Sequence, residues 1–265
     1  GGKYILKKGM SLNDVVNLLR SGNQTPIKLS FNNQDTLEKL AGRIAQQIEA
    51  DSTSILQAMS DSDFLSSNNF TKKSALGMYI PNSYEFYWNT SAEKFRSKML
   101  REYKRFWNAS RIEEANKLSL SKQEIITLAS IVQKETAQKS ERPIVAGLYL
   151  NRLKNNWPLQ ADPTVIYSIK ELKGQDFVVK RVLSKDLKIT SPYNTYQNTG
   201  LPPTLIAMPD ISAIDAVLNY KKHKYFYMCA SVDKIGFHDF AISLAQHNRN
   251  AAKYQRWINK QGIRR

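Results

Sequence analysis

Apolar residues recur along most of the chain at the three- and four-residue spacing of amphipathic helices. The clearest start is at Ser121 and Glu124, an S-x-x-E pair that predicts a capping box. The same periodicity, bounded by Ser, Thr or Asp at the start, predicts helices over 11–22, 36–48, 52–59, 91–118, 121–135, 140–153, 162–169 and 210–219, and Gly22 ends the first of them. A last amphipathic helix is predicted from about 241 to 261 by its periodicity alone.

Shorter segments have the alternation or aromatic content of strands. They predict strands at 4–6 and 27–31, a β-like stretch at 77–87 and a central strand at 224–231. Residues 60–69 read as a polar loop and 176–210 as loop-rich, and a long loop in a compact domain is usually functional. A strand–turn–helix plan occurs twice near the start, and the composition shifts after residue 69. We therefore expect an α+β fold with a small domain over 1–72 and a larger mixed α/β domain over 73–265.

Glu135 continues an apolar stripe rather than a polar one. It lies three, four and seven residues after Val132, Ile131 and Leu128. A carboxyl at the edge of an apolar face is desolvated, which favours its protonated form and suits it to donate a proton. The spacing leaves open that Glu135 turns to solvent or pairs with a neighbouring lysine.

Composition sets few further limits. The 265 residues are 42% hydrophobic and 23% charged, enough for one large or two smaller domains with a core. No apolar run reaches the roughly 18 residues of a membrane span, and residues 1–8 lack the apolar segment of a signal peptide. Cys229 is the only cysteine, which excludes an intrachain disulfide, and it is expected in a buried strand.

The net charge of +16 favours polyanionic partners such as nucleic acid, an anionic membrane surface or peptidoglycan with its stem-peptide carboxylates. The lysines are scattered, and a merely soluble surface explains the charge equally well.

Several long motifs resemble those of the YceG-like family, the MltG endolytic murein transglycosylases, and they follow one another along the chain in the order of that family. They are IVQKET, ERPIVAGLYLNRL, LQADPTVIY, GMYIPNSYEFYWNT, SPYNTYQNTGLPPTLIAMP and HDFAISLAQHN. The resemblance covers nearly the whole chain. It implies a LysM-like, glycan-binding domain at 1–72, a catalytic domain at 73–265, and a membrane anchor N-terminal to the given sequence. It also implies an envelope location outside the cytoplasm, peptidoglycan strands as substrate, peptidoglycan synthases as possible partners, and no cofactor, metal or nucleic acid.

The resemblance implies that Glu135 is the catalytic acid and suggests substrate-binding positions at Asn151, Gln160, Asp162, Tyr193, Asn194, Thr195, Tyr196 and His238. Asp162 is either a second carboxylate at the site or a helix N-cap, because D-P-T suits a helix start. Each loop residue could equally make an internal hydrogen bond. A hydrolytic muramidase, or a non-catalytic binder of glycan or nucleic acid, remains as an alternative.

Overall fold

The computed structural model describes residues 1–261, and within them the protein is mostly helical. Strands form only two separate two-stranded antiparallel sheets, so helices dominate more than the α+β expectation suggested. None of the helices in this part of the chain combines the length and apolarity that crossing a membrane requires. The chain divides into two compact units, residues 1–108 and 109–265.

Unit 1 surrounds a core of apolar side chains from its helices and one sheet. Strands β1 and β2 pair antiparallel, with Ile27 opposite Phe86 and Ser30 opposite Ser83. Helices α2, α3 and α5 pack together and bury residues such as Leu40, Ile55 and Phe95. The elements are α1 Leu12–Ser21, β1 Ile27–Ser30, α2 Leu37–Ala45, α3 Ser52–Met59, α4 Ser62–Ser67, a 3-10 turn Ala75–Met78, β2 Ser83–Phe86 and α5 Ala92–Phe106.

Three expectations for unit 1 are corrected. Residues 4–6 form no strand, and the expected loop at 60–69 contains helix α4, which begins because the Asp61 carboxylate accepts two backbone N–H groups. Asp51, rather than Ser52 or Thr53, caps α3 in the same way. Residue 72, the predicted boundary, lies within unit 1, where β1 pairs with β2 across it, and the division into domains at 1–72 and 73–265 stays a prediction. The assignment of 1–72 as a LysM-like module stays a prediction.

Unit 2 is built around helix α7. Its elements are α6 Ala109–Lys117, α7 Lys122–Glu135, α8 Arg142–Lys154, α9 Asp162–Lys173, a 3-10 turn Asp186–Lys188, α10 Ile211–Leu218, β3 Tyr227–Ala230, β4 His238–Ala241 and α11 Leu244–Lys260. The predicted capping box of Ser121 and Glu124 is confirmed. Eight consecutive residues of α7, from Ile125 to Val132, are buried, because helices α6, α8, α9 and α10 all pack against it. A helix buried all round needs partners on every side, and α6, α8, α9 and α10 are those partners.

Several expectations for unit 2 also need correction. The predicted helix over 91–118 is two helices, α5 and α6, with Trp107 and Asn108 between them. The N-cap position of α8 is occupied by Glu141 rather than by Ser140. The predicted central strand is β3, which pairs only with β4 and whose residues, Cys229 among them, are partly exposed. A central strand needs a partner on both sides, and among the described residues β3 has one.

A close backbone crossing fixes the segment after α10 against α8. The Lys221 N–H donates to the Pro143 carbonyl at 2.9 Å, and a ring nitrogen of His223 lies 2.8 Å from the Ile144 carbonyl oxygen. A Cβ at Gly147 would collide with the Lys221 carbonyl and the His223 ring. Glycine is therefore required at Gly147 for this approach.

We expect Gly147→Ala to lower the free energy of unfolding by about 1–3 kcal/mol, the usual cost of overpacking. Gly42→Ala is the matched control: a Cβ there meets nothing within 4 Å, so the better helix former should raise the free energy by roughly 0.5–1 kcal/mol. Urea denaturation followed by circular dichroism measures both. A Gly147→Ala protein as stable as wild type would contradict the crossing.

Candidate active site

Glu135 is the last residue of α7, and its side chain is partly buried. The next residue, Thr136, has extended backbone dihedrals and ends the helix. The carboxyl therefore stands where the enclosed helix stops, among groups from α8, α9 and β4 whose charges act on it.

Tyr149 on α8 provides the direct partner of this carboxyl. Its hydroxyl donates a hydrogen bond to Glu135 Oε2 at 3.0 Å, and the tyrosine side chain is fully buried. Burial and the nearby Glu135 charge raise the pKa of Tyr149 well above its ordinary value, so the hydroxyl stays a donor. Because Oε2 accepts this bond, Oε1 is the oxygen left to carry an acidic proton.

Opposing influences set the protonation of Glu135. Burial raises the pKa of the carboxyl above its ordinary value, and the charge of Asp162 adds to the rise. The charges of His238 and Arg152 and the hydrogen bond from Tyr149 act against it. The net rise keeps a larger protonated fraction near neutral pH, as a general acid requires.

Glu141, which is buried, and His238, which is partly buried, form a hydrogen-bonded pair, and the charge of the imidazole acts on the Glu135 carboxyl. Glu141 Oε1 accepts the backbone N–H of His238 at 2.7 Å, and Oε2 lies 2.8 Å from His238 Nδ1. Burial opposes charge on His238, but the bond and charge of Glu141 and the charge of Glu135 raise the pKa of the imidazole overall. Burial likewise opposes charge on Glu141, yet the bonds from His238 lower the pKa of the carboxyl.

Arg152 brings a buried positive charge to the same region without touching Glu135 directly. Its guanidinium donates to the Leu159 carbonyl at 2.5 Å and to the Phe226 carbonyl at 2.9 and 2.6 Å. These bonds hold the segment before α9 and the start of the β3–β4 hairpin against α8. Arg152 therefore has two effects: its hydrogen bonds fix these segments, and its charge lowers the pKa of Glu135.

Asp162 does not act as a helix cap. It is the first residue of α9, the cap position is Ala161, and no side chain caps that helix. Asp162 is exposed, and its Oδ1 accepts the Tyr196 hydroxyl at 2.7 Å. Burial and this bond raise the pKa of Tyr196. Of the two alternatives for Asp162, the cap is wrong, and a place beside Glu135 is supported by their electrostatic coupling.

The other predicted site residues make internal hydrogen bonds. Asn194 is fully buried and donates to the Leu187 and Ile189 carbonyls, while the Thr195 hydroxyl accepts the Ala161 N–H. The Tyr193 hydroxyl lies 2.7 Å from Thr204 Oγ1. These bonds give shape to a segment without regular secondary structure.

Asn151 and Gln160 have different surroundings. The Asn151 amide donates to the carbonyls of His223 and Tyr225, at 2.9 and 3.0 Å. Gln160 is exposed, with a left-handed φ of 48°, a conformation that costs about 1–3 kcal/mol and often marks a functional site. Substrate binding by these residues stays a prediction.

Sequence reasoning missed Tyr149, Glu141 and Arg152 as neighbours of Glu135. All three lie in the motif ERPIVAGLYLNRL, which was recognised without assigning them roles. Helical spacing from Glu141 to Tyr149 and Arg152 could have placed them near one face of α8, but not against Glu135. Among residues 1–261, no group of His, Cys, Asp or Glu side chains is arranged to hold a metal ion.

Comparisons with known proteins agree with these motifs. A model of the YceG-like family matches residues 1–253. An endolytic murein transglycosylase of Bacillus subtilis (strain 168) is 32% identical over 96% of this chain and 72% of its own length. One of Streptococcus pneumoniae serotype 2 is 30% identical over 96% of this chain, which spans half of that relative. The crystal structure of the YceG-like protein lmo1499 of Listeria monocytogenes aligns with a TM-score of 0.69 at 28% identity, over 93% of this chain and 83% of that one.

Removing the Tyr149 hydroxyl should change the titration of Glu135. The hydrogen bond favours the carboxylate, so Tyr149→Phe should raise the pKa of Glu135 further. Carbon-13 NMR of the carboxyl, assigned by its loss in Glu135→Gln, measures this. Tyr193→Phe removes a hydroxyl bonded to Thr204 instead and should leave Glu135 unchanged. An unchanged or lower pKa in Tyr149→Phe would refute the bond's role.

Proposed function

The chain belongs to the YceG-like family, and we propose that it is an endolytic murein transglycosylase that cuts the β-1,4 bond between MurNAc and GlcNAc without water. The relatives named above supply the activity class. The observation that carries the mechanism is one partly buried carboxyl, Glu135, whose pKa is raised by burial and whose Oε2 is occupied by Tyr149.

In the proposed first step, protonated Glu135 acts as the acid. Its proton goes to the bridging oxygen as the bond from C1 of MurNAc to that oxygen breaks, and the electron pair leaves with the oxygen. The sugar becomes oxocarbenium-like and Glu135 becomes a carboxylate. The hydrogen bond from Tyr149 and the positive charges of His238 and Arg152 favour that carboxylate.

In the second step the same carboxylate acts as the base. It removes the proton of the MurNAc C6 hydroxyl as that oxygen bonds to C1, which gives a 1,6-anhydro sugar. Glu135 ends protonated, so the cycle consumes no water. One carboxylate suffices because the nucleophile belongs to the substrate.

The hydrogen bonds of the neighbouring carboxylates support this single-acid scheme. Both oxygens of Glu141 are bonded to His238, so this group is not free to attack a sugar. Asp162 accepts a hydrogen bond from Tyr196, which suits a role in holding the sugar or the tyrosine.

A hydrolytic muramidase is the second candidate, because Asp162 is exposed and electrostatically coupled to Glu135. Glycoside hydrolysis uses a pair of carboxylates, one as acid and one as nucleophile or base. Mass spectrometry of products from purified sacculi separates the two reactions. A transglycosylase leaves anhydro ends one water lighter than the reducing ends left by a hydrolase.

Peptidoglycan as substrate places the protein in the bacterial cell envelope. Anchoring in the inner membrane, a periplasmic active site and contact with peptidoglycan synthases are further parts of the proposal and come from the family resemblance. The positive charge of the chain suits a substrate that bears stem-peptide carboxylates.

Glu135→Gln should keep the fold and abolish cleavage, because glutamine is nearly isosteric but can neither give nor take the proton. General acid–base catalysis contributes about 10²–10⁴-fold, so activity above roughly a tenth of wild type would sink the assignment. Digestion of sacculi with product analysis measures it. Glu113→Gln makes the same change at an exposed carboxylate of α6 and should cleave like wild type.

Asp162→Asn tests the one-carboxylate scheme. Asparagine can still accept the Tyr196 hydroxyl, so the variant should melt near wild type, keep at least roughly a tenth of the activity and release 1,6-anhydro products. Loss of a catalytic carboxylate would instead cost about 10²–10⁴-fold. A covalent glycosyl–Asp162 species, or a folded variant below about a hundredth of wild-type activity, would favour a second catalytic carboxylate.

A further inference from the structure

We propose that Glu141 and His238 are a positioning pair for Glu135, in which Glu141 holds the imidazole of His238 so that its positive charge stabilises the carboxylate formed between the two steps. This inference rests on the proposed function, since it concerns the same acid. It gives Glu141, which the acid and base steps do not use, the task of holding the cation that favours the carboxylate form of Glu135.

The geometry of Glu141 points away from a helix-capping role. It occupies the N-cap position of α8, yet its side chain makes no capping hydrogen bond. Its carboxylate is buried, with 3% of its surface exposed, and both oxygens are directed to His238 at the start of β4. A carboxylate at the N-cap position that does not bond the helix N–H groups loses a stabilisation of the helix of about 1 kcal/mol. The two bonds to His238 take its place.

The same pair is tied to the turn that carries Glu135. Thr136, the residue after Glu135, makes a side-chain hydrogen bond with Glu141 and is itself buried. The Thr136 hydroxyl also accepts the Gln138 N–H at 3.1 Å. The end of α7, the start of α8 and the start of β4 are therefore joined through one carboxylate.

The charged and titratable groups that act on Glu135 come from three elements. Tyr149 and Arg152 lie on α8, Asp162 opens α9, and His238 opens β4. After burial, His238 has the largest influence, and it favours the carboxylate.

The groups that act on His238 are all acidic. They are Glu141, Glu135 and Asp239, and together they outweigh the burial that disfavours the imidazolium. A cation held in this way is present when Glu135 has lost its proton. Because opposite charges stabilise each other most in a partly dry site, the pair lowers the free energy of the intermediate state.

The first experiment measures the pair without activity. Proton–carbon NMR follows the imidazole titrations of the intact chain, and Glu141→Gln and Glu135→Gln should each lower the pKa of His238, since each removes a negative charge. His247 is the internal control, because its pKa is lowered by burial and by Arg152 and not by either glutamate. If the pKa of His238 is the same in Glu135→Gln as in wild type, the proposal is wrong.

The second experiment follows initial cleavage rates of soluble, peptide-free glycan strands against pH. His238→Asn keeps a donor for Glu141 but removes the charge, so the pKa of Glu135 rises and the alkaline limb of kcat/KM moves to higher pH. The plateau falls roughly tenfold, less than the about 10²–10⁴-fold loss of the acid itself. Glu141→Gln should move the limb the same way, whereas His247→Asn should overlay wild type.

A purely structural role for the pair would lower the rate without moving the limb, and that result would overturn the inference. Failure of wild-type protein to cleave any strand would instead count against the proposed function, while the NMR titration still reads the pair. Thermal melts of all variants confirm that each profile belongs to folded protein.

Discussion

The enclosure of helix α7 is the constraint on which unit 2 depends. Eight consecutive residues are buried, so the helix has no solvated face over two turns and must be covered by four other helices. Burying such a helix removes apolar surface from water on every side, at about 25 cal/mol for each Å². The buried run ends at Val132, less than one turn before Glu135, whose carboxyl is acted on by polar groups from α8, α9 and β4. A desolvated acid follows from the packing and needs no separate pocket.

Polar side chains on the central helices hold the irregular segments in place. Ser130 on α7 accepts the Ile206 N–H at 3.0 Å, and Gln133 accepts the Asp210 N–H at 2.6 Å and donates to the Met208 carbonyl. Buried backbone N–H and C=O groups need hydrogen-bond partners, and a segment without regular secondary structure must find many of them on side chains. The segment from residue 190 to 210 can therefore pass beside the candidate active site without strands or helices.

Local chemistry made part of this fold predictable. Capping residues act on N–H groups within three positions, so Ser11, Ser121 and Asp210 marked helix starts that the structure confirms. Residues 4–6 form no strand, and the strand predicted within 224–231 forms as β3 but is not central, because the place of a strand in a sheet depends on partners distant in sequence. The same limit applies to the site. The spacing of Glu135 along α7 was enough to predict its place on an apolar face. Its hydrogen bond to Tyr149 could not be predicted, because only the packing of α7 on α8 brings the two side chains together.

In the proposed mechanism Glu135 serves first as an acid and then as a base, so its pKa cannot be tuned in one direction only. Burial alone would hold Glu135 protonated and make the carboxylate costly to form, while an adjacent salt bridge would keep it ionised and unable to donate. The structure combines burial with one neutral donor, Tyr149, and with cations whose own hydrogen bonds go elsewhere: Arg152 to main-chain carbonyls and His238 to Glu141. The described hydrogen bonds of both cations go to groups other than Glu135, so each favours the carboxylate through its charge, and in the proposed mechanism Oε1 is the oxygen that meets the sugar.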